Sequence, residues 1–181
     1  MNNQYFLCAD NGIIGLLGTP GPEMVVEIES PGEPGSASFI SLSVFSEIAC
    51  LLANGKALKD LGTITESYIK QIPLRPTLED HTITGSVIYI DSFQNAITNI
   101  SREFFEYVGN GRDFKIYVQS KHYMLDQINN RYNETPPGEL LAIFNSVGLL
   151  EIAIRNGNAA GLLKLNTSST IRIEFNKKKD A

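Results

Sequence analysis

The chain has 181 residues, 43% hydrophobic and 19% charged, with a formal charge of −5. That is enough apolar material for one ordinary domain or two small ones, and it excludes a disordered chain. The acidic balance disfavours a broad phosphate-binding surface, so no nucleic-acid partner is expected; the only basic run, Lys177 to Lys179, reads as a solvated tail. No apolar stretch approaches the roughly 20 residues that cross a bilayer, and Met1 to Gln4 is no positively charged leader, so no membrane partner and a cytoplasmic location are expected. Cys8 and Cys50 lack metal spacing and lie in apolar runs, where they read as small core residues in a reducing compartment.

In chain order, Tyr5 to Ala9 is an apolar run of the length of a buried strand, ended by the turn-forming Asp10-Asn11-Gly12. A second strand is predicted over Met24 to Ile28, and a loop over Pro31 to Gly35. From Ser38 to Asn54, Ile40, Val44, Ile48 and Leu51 recur at helical spacing, with Ser38 or Ser41 as N-cap and Gly55 just past the end. Lys56 to Gly62 reads as a short helical connector. Near Leu74-Arg75-Pro76-Thr77 the composition turns strand-rich, which sets a domain boundary. Strands are predicted over Thr82 to Asp91, Phe114 to Val118, Leu140 to Phe144, Leu149 to Ile154 and Thr170 to Phe175, and a short helix capped by Ser101 runs through Tyr107. The expected class is α+β: the rear part of an α/β domain over 1–76, then a small antiparallel β-barrel over 77–181.

Common catalytic signatures are missing. Gly55-Lys56 lacks the glycine and hydroxyl spacing of a phosphate loop, no dinucleotide fingerprint or nucleophile elbow is present, and His81 and His122 stand apart without ligand neighbours. No metal and no cofactor are expected. Two clusters stand out. In Val87 to Ile100 an apolar strand delivers Asp91, Phe93, Asn95 and Asn99 into one bend: Asp91 suits an ammonium group, and Asn95 offers the donor and acceptor of a purine reader. The plainer reading is an Asx-rich hairpin in which Asp91 and Asn95 satisfy local backbone and Phe93 plugs the core. In Phe144 to Ala153, followed by Asn156 to Ala160, Asn145, Ser146 and Gly148 form a polar turn that suits a ligand carboxylate, and the small residues let backbone approach a flat ligand. Its plainer reading is two ordinary turns.

Together the clusters resemble the SAM hydroxide adenosyltransferase family, whose relatives include a SAM-dependent fluorinase and chlorinase. The family motif, roughly Asp-x-Phe-Gly-Asn-x-x-Thr-Asn after an apolar strand, is matched at Asp91, Phe93, Asn95, Thr98 and Asn99, with Gln94 in place of glycine. The later Asn-Ser-x-Gly-x-Leu-Glu-Ile-Ala and Gly-Asn-Ala-Ala motifs are matched at Asn145, Ser146, Gly148, Leu150 to Ala153 and Gly157 to Ala160. Ala9 to Gly12 is similar to the family's Pro-Asp-Asn-Gly turn.

The resemblance implies hydrolysis of S-adenosylmethionine: water attacks the ribose 5′ carbon and methionine leaves, giving adenosine. It implies that Asn95 reads the adenine edge with Phe93, Tyr132 and the Ala159 backbone around the base. Asp91 then pairs with the methionine ammonium, and Ser146 binds its carboxylate end. It also implies a homotrimer, if the front of the first domain is supplied, with each ligand between one subunit's first domain and the next subunit's barrel. This chain is expected to begin in the last third of that first domain. Where hydrolases of the family have Phe-His-Gly-Arg-Asp, it has Phe39-Ile40-Ser41-Leu42-Ser43. Isoleucine exchanges no proton, so no catalytic residue is assigned; the alternatives to a whole hydrolase are an inactive adenosine- or SAM-binding module and half of a split enzyme.

Overall fold

The computed structural model describes residues 4–17, 21–28 and 39–177, without the side chains of Ile40 and Ser41. The loop expected over Pro31 to Gly35 and the candidate cap Ser38 lie outside the described residues. The chain divides into two compact units, Met1–Pro73 and Leu74–Ala181.

In the first unit, Tyr5 to Ala9 forms no strand. It has no ladder partner among the described residues, and Tyr5 and Phe6 are exposed. The turn after it forms as its residues dictate: Gly12 takes a left-handed φ of 92°, and the Asn11 side chain accepts the Ile13 N–H at 3.2 Å. Asp10 Oδ1 accepts the Ile69 N–H at 2.8 Å, tying together chain segments far apart in sequence. Helix α1 is the single turn Ile13–Leu16. Strand β1 is only Val26–Glu27. Helix α2, Ile40–Ala53, starts from Phe39, not from Ser41, and has no side-chain cap. It ends at Asn54, whose N–H and Nδ2 both donate to Cys50 O, with Gly55 left-handed beyond. A 3-10 turn at Leu58–Asp60 leads to β2, Thr63–Ile64, antiparallel to β1. Ile48 is buried, but Cys50 is exposed, correcting the expected core cysteine; two residues along a helix turn a side chain about 200° away. Cys8 is half-buried, and burial, then the Asp10 charge, pushes its thiol pKa up.

The second unit holds β3 (Thr77–Glu79), β4 (Thr82–Ile90), β5 (Ala96–Ser101), α3 (Arg102–Gly109), β6 (Phe114–Val118), β7 (Met124–Leu125), β8 (Leu140–Phe144), β9 (Leu149–Ile154), α4 (Ala159–Leu163) and β10 (Thr170–Phe175). All strands pair antiparallel in the order β7-β6-β10-β4-β5-β9-β8, with β3 also against β4. The end strands β7 and β8 touch, so the sheet is a nearly closed barrel and the class is α+β. Four predicted strands, β6, β8, β9 and β10, match their expected bounds. Strand β5, helix α4 and the short β3 and β7 were not foreseen.

The long strand β4 pairs with β10 through Ser86 and with β5 from Val87, and its register against β5 shifts at the crossover. Two motif residues secure that shift. Asn99 Oδ1 accepts the Ser86 N–H at 2.8 Å in place of a ladder bond, and the fully buried Thr98 accepts the Ile100 N–H. Inward side chains fill the barrel: Ile83, Val87, Ile100, Ile116, Leu150, Ile152, Ile171 and Ile173 are almost entirely buried. Strands β8 and β9 are buried on both faces, which explains their apolar sequences, unbroken in β8 and interrupted in β9 only by Glu151. The loop after β7 approaches the outer side, where Asn129 N–H donates to Ala142 O and Asn129 bridges parallel to Ile143.

Helix α3 packs Phe105 among Phe114, Phe144 and Phe175, with ring centroids 5.0–5.5 Å apart. Its start is fixed by Ser101, whose Oγ accepts the Phe104 N–H at 3.1 Å. Ser101→Ala is expected to lower unfolding free energy by about 1 kcal/mol in urea titration, with the m-value unchanged. An unaltered midpoint would show the cap to be idle.

Candidate functional site

Strand β4 ends at Ile90 and passes directly into Asp91, and the chain returns as β5 from Ala96. The bend closes through Gln94 N–H to Asp91 O and Asp91 N–H to Asn95 O, each 3.0 Å. Gln94 takes a left-handed φ of 66°, the conformation for which the family motif uses glycine. Asp91 grips Asn95 twice: Oδ1 accepts its backbone N–H at 2.7 Å, and Oδ2 accepts its Nδ2 at 3.2 Å.

This is the Asx hairpin of the plainer reading in its backbone, but not in its ring. Phe93 is 77% exposed and plugs no core. Asn95 is 8% exposed, and its Oδ1 accepts no hydrogen bond from a described residue. An exposed aromatic stands beside an amide whose oxygen has no protein partner among the described residues yet still meets solvent, so both are open to a ligand.

Four of the six expected residues, Asp91, Phe93, Asn95 and Tyr132, line one hollow of about 720 Å³, together with Asn133 and the Ile154 to Gly157 stretch after β9. Tyr132 comes from a 3-10 turn, Tyr132–Glu134, and is held firmly. Its hydroxyl donates to Glu151 Oε1 at 2.6 Å. Arg155 Nη1 donates to Thr135 O at 2.8 Å and Asn133 O at 3.4 Å, and Asn129 Nδ2 bonds Thr135 Oγ1 at 3.2 Å. Burial, then the Glu151 hydrogen bond and charge, then the Asp91 charge, drive the Tyr132 phenol well above its ordinary pKa, so it stays a neutral donor.

The other two expected residues do not line the hollow. Ala159 is fully buried as the first residue of α4; its neighbour Ala160 donates N–H to Gln94 O at 2.9 Å, locking α4 against the bend. Ser146 is exposed in the β8–β9 turn, at the end of β9 away from Ile154, and a six-residue strand spans roughly 17 Å. That turn uses its own amides: Asn145 Oδ1 accepts the Val147 and Leu149 N–H groups at 3.2 and 3.1 Å, and Gly148 N–H bonds Asn145 O. Of the residues the sequence left without a role, Arg155 and Glu151 matter most. Glu151 had a visible signal, a lone acid inside an apolar strand.

Comparison with known proteins agrees with the motif reading. The model of the SAM hydroxide adenosyltransferase N-terminal domain matches residues 1–62, and that of the C-terminal domain matches residues 85–172. The chain is 27% identical over 179 residues to an "(R)-S-adenosyl-L-methionine hydrolase" of Salinispora arenicola, covering 94% of this chain and 66% of that protein. A protein of the same name from Thermus thermophilus is 30% identical over 144 residues, covering 77% of this chain and 50% of the relative. Among solved structures, an uncharacterized conserved protein from Thermotoga maritima superposes with a TM-score of 0.71 at 26% identity, covering 91% of this chain and 65% of that one. A conserved hypothetical protein from Thermus thermophilus gives 0.64 at 27% identity, covering 91% and 61%. The chain thus spans about half to two thirds of the length of these relatives. With both domain models matched in order and along most of its length, the chain belongs to the SAM hydroxide adenosyltransferase family.

Proposed function

We propose that the barrel hollow binds the adenosyl group of S-adenosylmethionine, as part of an enzyme that hydrolyses it to adenosine and methionine. The observation that carries this reading is the trio of exposed Phe93, half-satisfied Asn95 and anchored Tyr132 around one hollow. Asn95 has two amide hydrogens and one oxygen to use. One hydrogen goes to Asp91, which leaves one donor and one acceptor, the complement of an adenine edge.

In the reaction, a water oxygen forms a bond to the ribose 5′ carbon as the bond from that carbon to sulfur breaks. The electron pair stays on sulfur, methionine leaves as a neutral thioether, and the water's proton passes to solvent. A neutral leaving group needs no general acid, so the protein's work is to orient ligand and water and to keep bulk water out. Phe93 and Tyr132 supply apolar walls, Asp91 carries the negative charge suited to the methionine ammonium, and Ser146 serves the carboxylate end. The open hollow and the exposed Phe93 support a cover supplied by a second copy, in a homotrimer. The unpaired thiols fit the cytoplasm. Among the described residues no helix is long and apolar enough to cross a membrane.

A second reading, an adenosyl-binding module without catalysis, is favoured by Leu42, which stands 70% exposed where hydrolases have arginine. Incubation with S-adenosylmethionine separates the two. Adenosine and methionine in equal amounts, above a heat-killed control, support the enzyme; adenosine binding without product supports the module. Phe93→Ala is expected to weaken adenosine binding about tenfold while shifting unfolding by less than about 0.5 kcal/mol, because the ring packs little in the free protein. A large loss of stability with unchanged affinity would return Phe93 to the core reading.

A further inference from the structure

Strand β9 carries its core residues Leu150 and Ile152 into the barrel. Between them Glu151 points to the other face, where Leu141, Ile143 and Ala153 form a separate buried cluster. In the ladder Glu151 stands between Ile97 of β5 and Ile143 of β8. The packing there gives no reason for a charge, yet Glu151 is only 3% exposed. A buried carboxylate costs several kcal/mol unless its oxygens are hydrogen-bonded. Both of them are. Oε1 accepts the Tyr132 hydroxyl at 2.6 Å, and Oε2 accepts Asn145 Nδ2 at 3.4 Å.

Those two partners belong to different parts of the site. Tyr132 is a wall of the hollow, and Asn145 organises the turn that presents Ser146. One carboxylate therefore joins a wall of the hollow to the polar turn, through Tyr132 and Asn145, which stand 13 residues apart in the sequence. Without it each keeps only local support: Tyr132 sits in a single 3-10 turn, and the Asn145 side chain otherwise hydrogen-bonds only within its own turn.

We propose that Glu151 is a positioning residue for the ligand: it sets the Tyr132 ring against the adenosyl hollow and, through Asn145, fixes the polar turn relative to that ring. This rests on the adenosyl-binding reading and deepens it. Glu151 need not touch the ligand, so its effect on binding runs through Tyr132.

A double-mutant cycle tests it, with calorimetric adenosine affinity measured well below the melting temperature. Glu151→Gln keeps shape and removes charge; Tyr132→Phe keeps the ring and removes the hydroxyl. Each alone is expected to weaken adenosine about tenfold, and the double variant also about tenfold, because both break the same link. A hundredfold loss in the double, or unchanged affinity in Glu151→Gln beside a lowered melting temperature, overturns the proposal. If Glu151→Gln does not fold, Tyr132→Phe with undiminished affinity is the overturning result. If the wild-type protein binds no adenosine, the adenosyl reading fails by itself, and hydrogen exchange then reads the link directly. Glu151→Gln should speed exchange in both 130–135 and 145–149; acceleration in only one segment, or neither, overturns it.

Discussion

Asn95→Ala is expected to weaken adenosine binding about fiftyfold, a loss of about 2 kcal/mol, while costing the fold only about 1 kcal/mol. The asymmetry follows from where the amide's groups go. In the free protein Asn95 side-chain bonding is limited to one Nδ2 contact with Asp91, and that carboxylate keeps the backbone N–H of residue 95 in the variant. In the complex the remaining donor and acceptor both meet the base, and deletion leaves adenine groups buried without partners. The same geometry predicts base selection. Adenine presents a donor beside an acceptor; hypoxanthine replaces the donor with an oxygen that would face Asn95 Oδ1. Inosine should bind at least tenfold more weakly than adenosine to wild type, and the variant should lose that preference. Calorimetry with both nucleosides checks it. Equal affinities in wild type would remove Asn95 from the base, and Phe93 and Tyr132 would remain as walls that read no edge.

The legible parts of this chain were those where one force dominates. Strands β6, β8, β9 and β10 are apolar or alternating runs bounded by turn residues, and their ends fall where those signals fall. The hollow was legible in Asp91, Phe93 and Asn95 through the motif and in Tyr132 through the family resemblance; of these, the Phe93 ring and the Asn95 oxygen are left unused by the fold. Other features depended on tertiary contacts. Strand β5 carries polar Thr98 and Asn99 inside it; Asn99 replaces a ladder bond to Ser86, an irregularity that no period of two displays. Helix α4 is five residues long, begins from Asn158 and is held by the Ala160 to Gln94 bond, so its sequence alone reads as a turn. Tyr5 to Ala9 has strand composition but no neighbour to pair with among the described residues, and composition without a ladder is not a strand. Ser146 entered through its motif, and its distance from the hollow is set by the length of β9, which no local pattern encodes. The link that reaches it through Glu151 is a buried acid on an outer sheet face, visible only once both ends of that link are placed.

Gly85→Ala is expected to cost about 3 kcal/mol, a large stability loss for a change that adds one methyl group. Gly85 lies on the inward side of β4, between Ile83 and Val87 and opposite Ile171 in the ladder. A Cβ there would collide with Ile100 Cγ1, and would stand 2.7 Å from both Ile100 Cδ1 and Asn99 Oδ1. Ile100 is fully buried and has nowhere to go, and Asn99 is the acceptor for the Ser86 N–H. The methyl group must therefore displace a core side chain, break the bond that holds the register shift, or both. Since β4 leads into Asp91 and β5 begins just after Asn95, sliding one strand against the other also disturbs the bend at the hollow. Thermal unfolding should fall by roughly 10 °C or more. The decisive arm is Ile100→Ala, which alone leaves a cavity and costs about 3 kcal/mol. Combined with Gly85→Ala, it removes the colliding atoms, so the double variant should be at least about 1 kcal/mol more stable than additivity predicts. Strict additivity would mean that the two side chains do not compete for this space, and that β4 and β5 are held together by something other than the Gly85–Ile100 contact.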